Sequence, residues 1–324
     1  MTRQANTLSA PIESERFAWL DAIAGPLQEA AHMLFRANKK TMAVKSVLNG
    51  TPMRHRIHPA LIIVPLGAWT TAAVLDLLDA IQAEDSERLY GPSADVGIAL
   101  GLISVFPTAA AGIADWVDTY DQHRRVGMAH AVVNSVAFAF YGISLGLRLA
   151  NGERRGLARV FSTLGFGTVM LGGALGGELV YNLGVNVPWT VYPKPENTWT
   201  DVLASSDLPE GKRLVVNVDR VPVLLYRLGG EIYAVEAWCP HAGGPLIEGT
   251  FEGHEVECPW HQSRFDLKDG HPTQGPASSN LRTFDVREQA GRIHIHPSYE
   301  GQSWPPAPKP LPATAERVRI EVAD

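Results

Sequence analysis

Four long uncharged stretches limit what this chain can fold into more than any other feature of its sequence. Each is about as long as a helix needs to cross the hydrocarbon core of a bilayer, roughly 17–25 residues. They cover residues 59–75, 96–114, 126–147 and 160–177. A soluble bundle of buried helices is the alternative. Four consecutive stretches of this length favour an all-α bundle of four transmembrane helices, which we place at residues 51–187.

The segment before the bundle, residues 1–50, is predicted to be partly disordered and partly an amphipathic helix. Residues 1–16 are polar and indicate disorder. From residue 17 onward apolar side chains recur at helical spacing. They are Leu20, Ile23, Leu27, Ala31 and Leu34. Such a helix can lie on an anionic membrane surface or pack on the rest of the protein, and its sequence leaves both open.

Basic residues in the loops predict the orientation of the bundle, because cytoplasmic loops are enriched in Lys and Arg. Eight lie on the side of the N-terminus and five on the opposite side. The eight are Arg36, Lys39, Lys40, Lys45, Arg54, Arg56, Arg124 and Arg125, and the five are Arg88, Arg148, Arg154, Arg155 and Arg159. This balance favours a cytoplasmic N-terminus. Since four crossings return the chain to the same side, we expect a multi-pass membrane protein with a cytoplasmic C-terminal domain.

Beyond a Pro-rich linker at residues 188–200, the apolar pattern changes from helical to alternating. Short apolar segments separated by glycine turns predict strands. They cover residues 213–218, 222–228, 231–237, 282–288 and 292–297. We therefore predict a small all-β domain at residues 201–297, followed by a Pro-rich tail at residues 298–324. The chain is thus a multi-domain protein.

Both cysteines of the chain lie in a repeated pattern of cysteine and histidine. Cys239-Pro-His241 is followed, after sixteen residues, by Cys258-Pro-Trp-His261. Two thiolates and two imidazoles can hold zinc, but zinc fingers usually group their cysteines together and their histidines together. In a Rieske centre two Cys bind one iron and two His bind the other. Two loops that each supply one Cys and one His therefore predict a [2Fe–2S] cluster, with zinc as the alternative.

The sequences around these residues, WCPHAGGPLIEG and CPWHQSRFDLKDGHPTQGPA, resemble the cluster loops of the Rieske ferredoxin family over about residues 199–297. Gly275-Pro276-Ala277 resembles the family's third loop beside the cluster. The resemblance implies an ISP-like β fold, one-electron transfer, and two ligand histidines whose outer nitrogens lie near the surface.

Two side chains that follow the second motif, Ser263 and Phe265, bear on the reduction potential of the cluster. In quinol-oxidising members of the family a serine and a tyrosine donate hydrogen bonds toward the cluster sulfurs. Here Ser263 takes the place of the serine and Phe265 that of the tyrosine. Because Phe265 has no hydroxyl to donate, we predict a potential below that of those relatives.

The apolar region resembles a second family, a four-helix membrane domain without an assigned function, over about residues 50–187. The sequences that carry this resemblance are HRIHPAL, GLISVFPTAAAGIADW, GMAHA and GGELVY. The family contributes topology and no chemistry.

Polar groups at membrane depth are usually functional or paired. His58 and His130 lie near helix starts, and Asp115 and Glu178 near helix ends, so all four would share one level of the bundle. We hypothesise that His58 and His130, with His55, bind a b-type haem or line a quinone pocket. Hydrogen bonds to Asp115 or Glu178 in the bundle, or contacts with lipid headgroups, are the alternative.

Together these features predict a membrane-anchored Rieske protein that carries one electron at a time between a membrane redox partner and a soluble partner. We expect no substrate chemistry of its own, because only 63 residues follow His261, too few for the mononuclear iron domain of Rieske oxygenases. A redox sensor, or a ferredoxin component that feeds a separate oxygenase, is the alternative. The net charge of -6 argues against a nucleic-acid partner; the expected partners are the lipid bilayer and a redox protein.

Overall fold

The computed structural model describes residues 9–81, 90–150, 155–187 and 195–298, which form a helical part followed by a β part. The helices are α1 (Ala10–Glu13), α2 (Trp19–Arg36), α3 (Lys39–Leu48), α4 (His58–Ile81), α5 (Tyr90–Trp116), α6 (Asp121–Ala150) and α7 (Arg155–Gly177). A π-helical turn, Glu178–Asn182, continues α7. The last four helices are each long and apolar enough to cross a membrane, which confirms the predicted bundle. Most of the predicted linker, residues 188–194, and the predicted tail from residue 299 lie outside the described residues.

The bundle consists of two antiparallel hairpins, α4 with α5 and α6 with α7. Trp69 of α4 and Tyr141 of α6 stack in its centre, with ring centroids 4.2 Å apart and an interplanar angle of 12°. Gly101 of α5 faces the Trp69 ring, and Gly165 of α7 faces the Tyr141 ring. A side chain at either glycine would collide with the ring, so these two positions set how closely each hairpin closes.

The two hairpins repeat the same arrangement at a constant spacing. Trp69 and Tyr141 are 72 residues apart in the chain, and so are the paired residues Asp76 and Arg148. The two facing glycines, Gly101 and Gly165, are 64 residues apart. Equivalent positions of α4 and α6, and of α5 and α7, therefore occupy equivalent places, as in a bundle built from an internal repeat.

Charged side chains meet inside the bundle at the end remote from the β part. Arg148 contacts Asp76 at 2.6 Å and Asp95 at 2.8 Å. Arg155 contacts Asp95 at 3.0 Å, and Arg159 pairs with Asp79. Charge at this depth is costly unless it is paired. In this network each arginine contacts at least one aspartate, so the charges of both signs are paired. Three of the five arginines counted on this side are thus neutralised.

The N-terminal segment is helical from residue 10, so the prediction of disorder is wrong for residues 10–16, while residues 1–8 lie outside the described residues. Leu20 and Ala24 on one face of α2 pack against Met128 and Ala129 of α6. The other face of α2 is apolar and exposed, at Trp19, Ile23, Leu27 and Leu34. The helix therefore packs on the protein, as one alternative held, and also offers an apolar face of the kind that suits a membrane surface.

The β part consists of three antiparallel sheets. Its strands are β1 (Thr200–Ala204), β2 (Arg213–Val218), β3 (Val221–Leu228), β4 (Glu231–Glu236), β5 (Thr250–Glu252), β6 (Glu255–Glu257), β7 (Arg264–Asp266), β8 (Pro272–Gln274), β9 (Phe284–Gln289) and β10 (Arg292–Pro297). The sheets have the strand orders β1-β10-β9, β2-β3-β4 and β5-β6-β7-β8. The five predicted strands are confirmed as β2, β3, β4, β9 and β10.

Two apolar cores fill the β part. One lies between the sheets β1-β10-β9 and β2-β3-β4 and includes Val223, Ile293 and Ile295. The other contains both cysteines together with Leu246 and Phe265. The small sheet β5-β6-β7-β8 therefore serves as the frame on which the cysteine loops are carried.

Candidate metal centre

The two cysteine loops have the same backbone conformation. Cys239 follows β4, and Cys258 lies between β6 and β7. The amide of each cysteine donates to the carbonyl five residues later, at 2.8 Å in both loops. Each cysteine carbonyl accepts from the amide four residues later, and that residue has a left-handed backbone, φ 77° at Gly243 and φ 63° at Gln262. The two cysteines thus occupy matching positions, while His241 follows its cysteine by two residues and His261 by three.

Backbone amides surround both cysteine sulfurs. The amides of His241 and Ala242 point at the sulfur of Cys239, and those of Trp260 and His261 at the sulfur of Cys258. A hydrogen bond from the Cys239 thiol lowers the pKa of Cys258 to about 7, whereas burial raises the pKa of Cys239 well above its usual value. The backbone amides favour the thiolate form, which is the form that binds metals.

The two histidines of the motif lie side by side. Their ring centroids are 4.8 Å apart, with the rings nearly perpendicular. Burial lowers the pKa of His261 to about 4 and holds that of His241 well below its usual range, so both imidazoles are neutral. Nδ1 of His241 is buried without a hydrogen-bond partner among the described residues. Such an orphaned lone pair is costly unless it binds a metal, and two sulfurs with two imidazoles suit iron.

Ser263, Phe265 and Gly244 complete the immediate surroundings. The Ser263 hydroxyl oxygen accepts from the Ala277 amide at 2.9 Å, which leaves its own proton available to a sulfur. Phe265 is fully buried in the same core as the cysteines. A Cβ added at Gly244 would lie 2.7 Å from the sulfur of Cys258, so this position requires glycine.

The edge of the centre formed by His241 and His261, the histidine edge, is covered by the helical part of the chain. The expectation that the outer nitrogens of these histidines lie near the surface is therefore wrong. Only 7% of His241 and 2% of His261 are exposed. The Tyr120 hydroxyl, in the turn between α5 and α6, hydrogen-bonds to Nε2 of His261. Tyr120 and His261 are far apart in the chain, and no local pattern indicated their contact.

A buried ion pair lies next to the same edge. Lys45 contacts Asp118 at 2.6 Å, and both side chains are almost completely buried. Burial opposes the charge of Asp118, but the nearby His32, whose Nε2 lies 3.6 Å from Oδ1, and the charge of Lys45 outweigh it and hold the Asp118 pKa well below its usual range. A fixed carboxylate therefore acts on both imidazoles. No local sequence pattern indicates this role of Lys45 and Asp118 beyond their charges.

The third loop of the β part is also bonded to the helical part. The Gly275 amide donates to the Ser46 hydroxyl at 3.1 Å. The Thr51 hydroxyl donates to the Ala277 carbonyl at 2.8 Å. Together with Tyr120, these contacts fix the β part on the end of the bundle where α4 begins and α5 ends.

The polar groups predicted at one level of the bundle separate into different contacts. His55 is exposed, and its Nδ1 lies 2.9 Å from the Arg56 carbonyl, so it does not join the other two histidines. Asp115 accepts from Arg56 at 2.9 Å and from Asn49 at 2.7 Å. Glu178 bonds to Ser9 and Asn182.

His58 and His130 both hydrogen-bond to a backbone carbonyl of the neighbouring helix. Nδ1 of His58 lies 2.9 Å from the Thr108 carbonyl, and Nδ1 of His130 lies 2.8 Å from the Gly172 carbonyl. The alternative to a redox site, hydrogen bonds from these histidines to Asp115 or Glu178, is therefore wrong in its partners, because both bonds go to backbone carbonyls within the bundle.

Known proteins match both parts of the chain. The ferredoxin component of a naphthalene 1,2-dioxygenase system from Pseudomonas aeruginosa is 38% identical over 97 residues, which is 93% of that protein and 30% of this chain. Residues 198–285 match the Rieske [2Fe-2S] domain family. The chain belongs to the Rieske [2Fe-2S] family. Its Rieske domain therefore has a [2Fe–2S] cluster as its cofactor and an electron-transfer role. The alternative of a zinc site is wrong.

Two further relatives of the Rieske domain are ferredoxins. The ferredoxin component of a 2,4-dinitrotoluene dioxygenase system from Burkholderia sp. (strain RASC) is 35% identical over 97 residues, 93% of that protein and 30% of this chain. The ferredoxin of carbazole 1,9a-dioxygenase from Nocardioides aromaticivorans IC177 is a solved structure with 33% identity and a TM-score of 0.30, covering 31% of this chain and 99% of that one. Residues 54–188 match a different family, described as Predicted membrane protein (DUF2231).

The contact at Gly275 gives a direct test of the docked arrangement. In the variant Gly275→Ala the added methyl group would meet the Thr51 hydroxyl and lie 3.1 Å from Cα of Ser46. We expect a loss of about 1–2 kcal/mol of docking free energy, hence roughly tenfold faster amide exchange at residues 46–51. Hydrogen–deuterium exchange measures this, with Gly156→Ala, where nothing lies within 4 Å, as the control. Equal exchange in both variants would contradict the docked arrangement.

Proposed function

We propose that Cys239 and Cys258 bind one iron of the cluster and His241 and His261 the other. We further propose that the chain is a membrane-anchored carrier of single electrons between a membrane redox partner and a soluble partner. The observation that carries this proposal is the contact between Tyr120 and His261, which puts the histidine edge against the membrane domain. The cluster, when bound, accepts and releases one electron.

The residues around the centre hold the four donors in a state ready for iron. The backbone amides at the two sulfurs favour the thiolates, and burial keeps both imidazoles neutral. Ser263 is positioned by Ala277 to donate its proton toward a sulfur. Because the covering helices keep water from the histidine edge, an electron reaches this side through protein and not through solvent.

Partners can approach the centre from two sides. The histidine edge faces the end of the bundle, so a donor or acceptor held in the membrane is on that side. Trp238 and Trp260, which flank the cysteine loops, are 43% and 50% exposed and offer aromatic contacts to a soluble protein. Because several relatives are named as ferredoxin components of dioxygenase systems, a soluble oxygenase is the second candidate for this partner.

Charge in the structure supports a cytoplasmic Rieske domain. On its side of the bundle Arg36, Lys39, Lys40 and Arg54 are exposed. The Lys and Arg residues counted from the sequence are more numerous on this side, eight against five, and their number is what the positive-inside rule concerns.

Reconstitution in liposomes tests the carrier role. The oxidised full chain is mixed with a lipid-soluble quinol or with dithionite, and the reduced Rieske signal is followed by freeze-quench electron paramagnetic resonance. We expect the quinol to reduce the wild type, and the loosened variant Gly275→Ala to be reduced more slowly by quinol but equally fast by dithionite. Failure of every membrane-confined donor and acceptor to exchange electrons with the cluster would refute the proposal.

The buried side chain of Phe265 predicts the direction of a change in potential. In Phe265→Tyr a hydroxyl enters the core that contains both cysteines and can donate toward a sulfur, which stabilises the reduced and more negative cluster. One such bond contributes about 1 kcal/mol, on the order of 40 mV for one electron. Redox titration should show the rise, and Phe265→Leu should not raise the potential. A lower potential in Phe265→Tyr would contradict this account.

A further inference from the structure

His58 and His130 occupy equivalent positions in the two hairpins of the membrane domain. They are 72 residues apart, the same spacing as the stacked pair Trp69 and Tyr141 and the ion pair Asp76 and Arg148. Their carbonyl partners, Thr108 and Gly172, are 64 residues apart, the same spacing as the two glycines that face the stacked rings. The histidines are therefore placed by the internal repeat, one on each diagonal helix of the bundle.

Both imidazoles have the same proton position. A backbone carbonyl can only accept a hydrogen bond, so Nδ1 must donate in each ring and Nε2 carries the lone pair. Histidines that bind metals almost always donate a hydrogen bond from their other ring nitrogen to a carbonyl or carboxylate in this way. His58 and His130 each lie 11 residues, about three helical turns, before Trp69 and Tyr141, which stack on each other, so the two imidazoles are on the faces of α4 and α6 that point toward each other. The repeat thus supplies two oriented nitrogen donors to one region of the membrane domain.

Small residues surround both rings. A Cβ added at Gly112 would lie 2.8 Å from Cε1 of His58, and one at Gly176 would lie 3.3 Å from Cε1 of His130. These glycines follow the two carbonyl partners by one helical turn, so each ring packs flat against a bare stretch of backbone. The large stacked side chains of the bundle core lie 11 residues further along α4 and α6, roughly 16 Å away along the axis. The histidine level is therefore the one at which the bundle has small side chains.

We propose that His58 and His130 are the two axial ligands of a b-type haem in the membrane domain. Iron bound by two neutral imidazoles through Nε2 uses the lone pairs that the carbonyl bonds leave free. The amide nitrogen of Asn134 lies 3.3 Å from Nε2 of His130, and it is held there by a 2.8 Å bond to the His130 carbonyl. Iron binding at Nε2 would require this amide to rotate away.

The depth of the site places it next to the Rieske centre. Thr108 and Gly112 lie four to eight residues before Trp116, the last residue of α5, hence roughly 6–12 Å from the end of the bundle. Tyr120, which contacts His261, follows directly at that end. Haem iron there would be the nearest redox centre to the histidine edge, on the side away from the soluble partner.

Optical spectroscopy of the purified full chain from haem-replete cells tests the proposal. We expect the reduced-minus-oxidised difference spectrum to show a b-type α band at one haem per chain. His58→Leu and His130→Leu should each lose this band, whereas His130→Met, which keeps a ligand atom, should retain haem with a shifted spectrum. His55→Gln, an exposed neighbour outside the pair, is the control that should keep the wild-type band.

The Rieske signal of the same samples shows whether each variant is folded. Because this signal reports the cluster and the optical band reports haem, a failure of the haem proposal can be told apart from a failure of the function proposed above. A wild type with a full Rieske signal and no haem band, even after titration with haemin, would overturn the haem site. A band that persists in both leucine variants would do the same. Bound quinone in place of haem, lost in the same variants, would also refute it and assign the pair to a quinone instead.

Discussion

Substitution of Cys258 by serine should abolish the Rieske cluster. In Cys258→Ser one of two thiolate ligands is replaced by a hydroxyl that binds iron poorly, and the two amides that point at the sulfur lose their partner. The remaining three donors cannot hold both irons. We expect loss of the reduced Rieske signal in electron paramagnetic resonance and a non-haem iron content reduced from two per chain to near zero. His261→Gln should give the same result through loss of the second iron's ligand.

A histidine of the same domain outside the loops provides the control. His254 contacts Asp266 at 3.4 Å on a half-exposed surface and has no place in the repeated motif. His254→Gln should therefore keep both the cluster and its potential. A full Rieske signal in Cys258→Ser, or its loss in His254→Gln, would show that the four donors have been assigned wrongly.

Replacement of Arg148 should have the largest effect on the stability of the membrane domain. Its guanidinium bonds to Asp76 and Asp95 and also to Ser144 and Ser162. Arg148→Met leaves Asp76 without a cationic partner in a buried site, whereas Asp95 keeps Arg155; breaking such a buried pair costs about 3–5 kcal/mol. The midpoint of thermal unfolding in detergent, followed by loss of helical circular dichroism, should fall by several degrees.

Two comparisons make this prediction specific. The double variant Asp76→Asn/Arg148→Met removes both members of the main pair and should recover part of the loss. Arg292→Met breaks an ion pair with Asp201 in which both side chains are nearly half exposed, so it should cost only about 0–1 kcal/mol. Similar losses in Arg148→Met and Arg292→Met would contradict a buried charge network in the bundle.

The sequence was most informative where one short segment carries both the pattern and the chemistry. The strands β2 and β10 were predicted at the residues where they occur, because each has six residues of regular alternation. The four proposed cluster donors could be named from residue type and spacing, with zinc as the alternative ion. In contrast, β5 to β8 have three residues each, too few for a period to be visible, and were missed.

Contacts between the two parts of the chain could not be predicted. Tyr120 and His261, or Ser46 and Gly275, are brought together by the docking of one domain on another, and neither local segment encodes its partner. The resemblance to isolated ferredoxins gave the opposite expectation of exposed histidines, because those proteins have no membrane domain to cover them.

The internal repeat was also missed, although its signal is in the sequence. Positions 58, 69 and 76 recur at 130, 141 and 148, but only the histidine is conserved in type between the copies. Tryptophan is matched by tyrosine and aspartate by arginine. Tryptophan and tyrosine form a stacked pair across the bundle, and aspartate and arginine form an ion pair. The repeat is therefore visible only when the positions of the helices are known.

Electron paramagnetic resonance of ordered membrane multilayers tests the central claim most directly. The full chain is incorporated into membranes, the membranes are dried into aligned layers and reduced, and the spectrum is recorded as the layers are rotated in the field. Since the Rieske domain is fixed to the bundle through Tyr120, Ser46 and Thr51, we predict a Rieske signal whose amplitudes depend on the angle of rotation. A Rieske signal that is independent of angle, or no Rieske signal at all, would contradict a cluster held by its histidine edge on the membrane domain.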